Sequence, residues 1–389
     1  MSATSDLIGQ SPLTKPTKAG GRGIEHSSEN LNEADRLMTI CNSCRYCQGL
    51  CAVFPAMELR RDFTEGDLNY MANLCHACGA CFADCQFSPP HDFEVNVPKT
   101  MASLRAETYS RYAWPSFLSG LFYRNGLAIS IITALSVAGF ILGFIYFNNP
   151  DLLWAVHTGP GAFYKLMPHN TMALLFGVAF VAAIIAIIMG AITFWKDTTN
   201  ASIAGAGSGF WQAFSDSFKL RYLDGGGAGC SGETIQKKDG RKHAHHLTFY
   251  GFLLCFASTS VATLYHYGLG REAPYPWWDL PVILGTLGGI GLVIGPAGLF
   301  LEKFKRPKEL QDPDRFGMDT GFIAMLFLTS FTGLVLLFLR ETPLMGILLA
   351  IHLGVVFSLF LTLPYSKFVH GIYRFLALIR SAKESNANH

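Results

Sequence analysis

Charge is what this chain has least of. Asp, Glu, Lys and Arg supply 15% of its 389 residues, while half of it is hydrophobic. Soluble domains carry about a quarter charged residues, so this composition excludes an ordinary soluble fold and points to a bilayer. The formal net charge is only +2, which leaves no basic excess to hold nucleic acid. A nucleotide loop is missing too. Gly225-Gly-Gly-Ala-Gly229 has neither a strand before it nor a Gly-Lys-Ser/Thr ending, so it reads as a flexible turn. No flavin-binding half of the strand, G-x-G-x-x-G, helix kind is present, and no acid–base pair or catalytic triad stands out. Residues 1–30 are polar, without the apolar stretch and cleavage site of a secretory signal, and read as a disordered lead-in.

What is present begins with cysteine. Eight of the ten cysteines fall into two runs, Cys41, Cys44, Cys47, Cys51 and Cys75, Cys78, Cys81, Cys85. Each reads C-x2-C-x2-C-x3-C, the spacing of two-cluster bacterial ferredoxins, whose fourth cysteine ligates the other cluster. One [4Fe–4S] cluster is therefore assigned to Cys41, Cys44, Cys47 and Cys85, and the other to Cys75, Cys78, Cys81 and Cys51. Zinc modules pair two-residue knuckles instead, and a disulfide framework does not suit a reducing compartment. Neither fourth cysteine precedes a proline; Pro55 and Pro89 come four residues later. Spacing leaves the order of the two centres open. Cys230 and Cys255 are isolated and read as packing residues.

Residues 31–110 form the cluster module. A short helix or two lies between the runs, over 58–72, and a proline-initiated helix over 96–109. Trp114, Phe117, Phe122 and Tyr123 suit a membrane interface. Residues 111–389 then hold six apolar stretches, near 127–147, 171–194, 246–267, 279–301, 321–339 and 344–365, each long enough to cross a bilayer core of about 30 Å. The fourth contains Pro296 and six glycines, which read as close helix packing rather than a break. Lys and Arg gather in the connections after the second and fourth spans, Lys237, Lys238 and Arg241 among them, and in the tail. Both termini and the module are thus expected on the cytoplasmic side. The segment 210–221 has an amphipathic pattern that fits a membrane surface or the underside of the clusters.

Ionisable groups inside a bilayer need a reason. His246 and His266 lie twenty residues apart along the third span; His352 and His370 lie eighteen apart, in and just after the sixth. On antiparallel helices these separations, about 30 and 27 Å, pair His246 with His370 at the inner face and His266 with His352 at the outer face. Each pair is a candidate for b-type haem through two imidazoles. His245 is the alternative to His246, turned about 100° away on a helix. His76, His91, His157, His169 and His243 read as surface or supporting residues. Tyr250, Arg315, Tyr365 and Lys367 lie near the inner face but single out no quinone site.

The two cysteine runs, the Cys85-Gln-Phe-Ser-Pro-Pro-His-Asp92 ending, Arg221–Cys230 and His245–Tyr267 together resemble the tricarballylate (or citrate) utilisation protein B family. The resemblance runs from about residue 35 to the end. It implies an all-α protein: a cytoplasmic ferredoxin-like module with two [4Fe–4S] clusters, then a six-helix transmembrane bundle of cytochrome b type with one or two b haems. It also implies the task of reoxidising the reduced FAD of a separate tricarballylate dehydrogenase and sending electrons to membrane quinone, at the bacterial inner membrane. Two competing readings use the same parts. One is a quinol-linked reductase subunit feeding a soluble partner; the other is a permease with a redox-sensing domain, against which the scarcity of intramembrane charge speaks.

Overall fold

The computed structural model describes residues 25–148, 150–199, 209–225, 240–312 and 316–387. Most of the expected lead-in, Gly226 to Gly229, Cys230, Lys237, Lys238 and Arg315 lie outside the described residues.

Among the described residues all regular structure is helical. The module contains α1 (Glu29–Cys44), α2 (Val53–Glu58), α3 (Glu65–Leu74), α4 (Ala80–Ala83) and α5 (Val97–Arg111). Order begins earlier than residue 31. Ser28 caps α1 by accepting from the Leu31 amide at 3.2 Å, and the Ser27 amide donates to Glu65 at 2.9 Å. Thr64 and Asp67 close a reciprocal capping box on α3. Asn96 caps α5 through the Lys99 amide at 3.2 Å, with Pro98 in the first turn where no amide is needed.

Six long helices follow: α6 (Asn125–Phe147), then, after the short α7 (Pro150–Leu153), α8 (His169–Thr198), and, after α9 (Phe210–Phe218), α10 (Gly240–Leu269), α11 (Leu280–Lys305), α12 (Phe316–Leu339) and α13 (Met345–Thr362). Each is long and apolar enough to cross a membrane. The chain ends in α14 (Val369–Ala387).

The fourth long helix runs unbroken through Pro296. Its glycines let α10 approach. A β-carbon at Gly288 would stand 2.8 Å from the Cys255 amide nitrogen, and one at Gly295 would stand 2.6 Å from that of Thr248. Backbones this close are what small residues permit between apolar helices. Cys255 packs at this seam, as an isolated cysteine should.

The module sits on one end of the bundle. A β-carbon on Gly66 of α3 would collide with the Asp197 carbonyl at the end of α8. Met318, at the start of α12, and Tyr365, beyond the end of α13, join the module's hydrophobic core, and the Asn125 amide of α6 donates to the Tyr365 carbonyl. At the far end, Arg340 donates to the Tyr275 carbonyl at 2.8 Å. Successive long helices therefore run in alternating directions. The core itself is continuous across module and bundle. Tyr373 of α14 stacks on Phe194 of α8 at 5.1 Å and meets Tyr112, just past α5, at 5.9 Å.

Candidate redox site

The cysteines are presented by helix ends. Cys41 and Cys44 occupy the last turn of α1. Arg45 then adopts the left-handed conformation, φ 57°, and its amide bonds back to the Cys41 carbonyl at 2.8 Å, which turns Cys47 towards the same space. Cys85 arrives from beyond α4. Cys41, Cys44, Cys47 and Cys85 line one cavity of 250 Å3 together with Phe54, Asp84 and Phe87. The loop from Cys75 curls through Ala77 (φ 47°) and Gly79 (φ 97°), and the Ala77 amide donates to Cys75 Sγ at 3.3 Å. Cys51, Cys75, Cys78 and Cys81 line a second, tighter cavity of 20 Å3 with His76 and Tyr222. The fourth cysteine of each run thus faces the three of the other.

The thiols are hard to ionise alone. Burial, then the neighbouring Cys47, Cys85 and Cys44, push the Cys41 thiol up to about 12. Burial, with Cys85, Cys44 and Asp84 adding, pushes Cys47 up to about 11. Burial likewise raises Cys51, Cys75 and Cys81. Converging protonated thiols are the donor set that cationic iron converts to thiolates. In the 250 Å3 cavity the fit rests on both space and donors; in the tighter one it rests on the donor set. Among the described residues no three His, Cys, Asp or Glu side chains sit close enough to hold a single metal ion.

The histidines fall out differently from the sequence pairing. At the module end the ring facing His370 is His245, with centroids 6.2 Å apart and planes at 74°. His246 lies against Tyr250 at 5.7 Å. The two neighbours point about 100° apart on α10, and α14 lies on the His245 side. His370 Nδ1 bonds to the Lys367 carbonyl, which leaves Nε2 free. A metal–imidazole bond is about 2 Å, so two ring nitrogens on one iron stand about 4 Å apart, a spacing that these centroids admit. At the far end His266 and His352 are not brought together. α10 packs along α11, whereas α13 packs on α6, α8 and α12. His352 Nδ1 instead bonds Thr332 Oγ1 at 3.0 Å, with Gly333 giving room for its ring. His266 stacks face to face on His169 at 3.6 Å, too close for iron between them. At the module end, Tyr250 and Tyr365 donate to the carbonyls of Phe218 and Trp114 at 2.9 and 3.1 Å, and Lys367 pairs with Asp319.

Sequence reasoning missed the arginines between the cysteines and the histidines. Arg374 donates to the carbonyls of Asn73 at 3.3 Å and Cys75 at 2.9 Å. Arg241 reaches the His76 carbonyl at 3.0 Å, and Arg306 the Ala77 carbonyl at 2.6 Å. Arg105, buried in α5, donates to the Cys75 carbonyl. Burial, then the other arginines, lowers Arg306 to about 10 and Arg374 to about 9, so both remain charged at neutral pH. One signal was there to be read: Arg241 precedes His245 by four residues and Arg374 follows His370 by four, one turn along the same helix face in each case.

The comparisons agree with this architecture. The family model of citrate utilization protein B matches residues 121–389, and that of its Fer4-like domain matches residues 34–111. Citrate utilization protein B of Escherichia coli is 47% identical over 357 residues, covering 90% of this chain and 92% of that protein. No solved structure matches. With an iron–sulfur type of domain seated on six apolar helices, and with both parts matched, the chain belongs to the citrate utilization protein B family.

Proposed function

We propose that this chain is a membrane electron-transfer protein. It takes electrons from the reduced FAD of a separate tricarballylate (or related tricarboxylate) dehydrogenase and delivers them to membrane quinone, by way of two [4Fe–4S] clusters and b-type haem. A role in citrate utilisation is what the family's name supports. The observation that carries the reading is two four-thiol cavities in the module together with a half-buried imidazole pair where the module meets the head of the helix bundle.

Bound there, the clusters and haem supply one-electron chemistry that no side chain offers. The chain's own part is to hold and orient. Cys41, Cys44, Cys47 and Cys85 hold one cluster, and Cys51, Cys75, Cys78 and Cys81 the other. His370 is fixed by the Lys367 carbonyl so that Nε2 faces its partner. His245 is that partner, in place of His246, to which helix spacing first pointed. Lys and Arg concentrate on the module's side of the bundle, which supports a cytoplasmic face for this site.

Deleting the chain tests the reading. Cells should lose growth on tricarballylate while the dehydrogenase accumulates with its FAD reduced. Unchanged electron flow from that dehydrogenase to quinone refutes it.

A further inference from the structure

The two thiol cages differ in what surrounds them. Cys44 of the first is exposed, and Tyr46 beside it is 74% exposed. Asp84 lines that cavity, placing a negative charge next to the thiols. The second cage is covered by the rest of the chain. A β-carbon on Gly225 would stand 3.1 Å from that of Ala80 and 3.7 Å from Cys78 Sγ, and Leu310 packs over Gly79. Its backbone carbonyls, from Asn73 to Ala77, receive arginines from three separate segments of the membrane domain, Arg241, Arg306 and Arg374, besides Arg105 from α5. The nearby carboxylate Asp319 is already shared by Lys303 and Lys367.

These arginines also dock the module, but docking needs hydrogen-bond donors and not charge. Four guanidinium charges on one cage have a second effect. A thiolate-bound cluster gains a negative charge on reduction, and cluster potential follows local charge and solvent exposure. Burial alone would penalise the reduced form; fixed positive charge favours it. A unit charge about 10 Å away at an effective dielectric of about 20 biases such an equilibrium by more than tenfold.

We propose that Arg105, Arg241, Arg306 and Arg374 raise the reduction potential of the centre held by Cys51, Cys75, Cys78 and Cys81, making it the bundle-facing exit of the module. The cage of Cys41, Cys44, Cys47 and Cys85 is then its solvent-facing, lower-potential entrance. This rests on the two-cluster reading above.

The test is an EPR-monitored redox titration of the purified full chain as wild type, Arg374→Gln, Arg306→Gln and Arg374→Lys, with iron and labile sulfide measured on each. Glutamine keeps an amide donor for the carbonyls and removes the charge; lysine keeps the charge. In each glutamine variant the reduced-to-oxidised ratio of the higher-potential centre should fall about tenfold at fixed ambient potential, which is ~59 mV for a one-electron couple. The other centre, farther from the charge and facing solvent, should move by a clearly smaller factor, and Arg374→Lys should stay near wild type. Equal shifts in both centres, no shift in either, or a lysine variant displaced as far as glutamine overturns the proposal. Should Arg374→Gln fail to assemble, Arg306→Gln carries the same reading. Wild-type protein without labile sulfide defeats the two-cluster reading and this inference with it; two intact centres with unmoved potentials defeat only the inference.

Discussion

Arg380 is 1% exposed and joins the last helix to the module. Its guanidinium bonds Asp67 of α3 at 2.7 Å and Glu384 of α14 at 2.9 Å, and it lies over the Tyr70 ring at 4.0 Å. Arg60 bonds the same two carboxylates, Asp67 at 2.7 Å, and Tyr70 donates its hydroxyl to Glu384 at 3.0 Å. Two buried carboxylates thus share the buried guanidinium of Arg380 and the partly buried one of Arg60. Arg380→Met keeps most of the side-chain volume and removes one of the two guanidinium groups that the carboxylates share. Breaking a buried pair from one side costs about 3–5 kcal/mol. The loss falls on local opening of α14, which packs on α3 and on the end of α8, and not on the far spans. Hydrogen exchange read by mass spectrometry should show α14 and α3 peptides less protected by about 100-fold or more, since about 1.4 kcal/mol is tenfold. An acid limb follows as well. Burial would push the Asp67 carboxyl up, but Arg60, Thr64 and Arg380 together hold it below the usual carboxylate range. Its stabilisation is therefore complete above about pH 4 and is lost as pH falls through the depressed value. Asp67→Asn should remove that limb. Protection of α14 in Arg380→Met within about threefold of wild type, or an unchanged acid limb in Asp67→Asn, refutes the network's role.

Iron and sulfide analysis should find about eight irons per chain; Cys85→Ser should weaken the centre of the solvent-facing cage and Cys51→Ser the other, and stoichiometric zinc without labile sulfide would contradict both. His245→Ala and His370→Ala should lose haem by pyridine haemochrome while cluster signals persist; His246→Ala should keep it, and full haem in the first two removes the inner site. Reporters fused after His389 and within 196–245 should both read cytoplasmic, and a signal from the opposite side of the membrane at either position would reverse the orientation.

The parts of the fold fixed by local pattern were legible in the sequence. Apolar runs placed the long helices to within a few residues: 279–301 was expected, and Leu280–Lys305 is observed. The glycines of that run announced a close helix seam because only backbone proximity rewards them. The cysteine spacing implied the crossed grouping that the two cavities display. What escaped depends on partners far away in the chain. The tail after the sixth span counted in the sequence only as basic charge for orientation, yet Arg380 and Glu384 are buried, and Arg380 meets Asp67, 313 residues earlier. The choice between His245 and His246 likewise turned on where α14 lies, which no local periodicity encodes.

That long reach has a consequence for how the molecule is made. The cysteines emerge from the ribosome first, and the residues that close over the inner cage emerge much later. At about 5–20 residues per second, the 313 residues between Asp67 and Arg380 take about 16–60 s to synthesise. Until α14 arrives, Asp67 lacks Arg380 and the Cys75 loop lacks the Arg374 bonds that tie it to the bundle. The module therefore spends most of translation without these bonds, and the final helix is the clasp that completes its seat on the bundle.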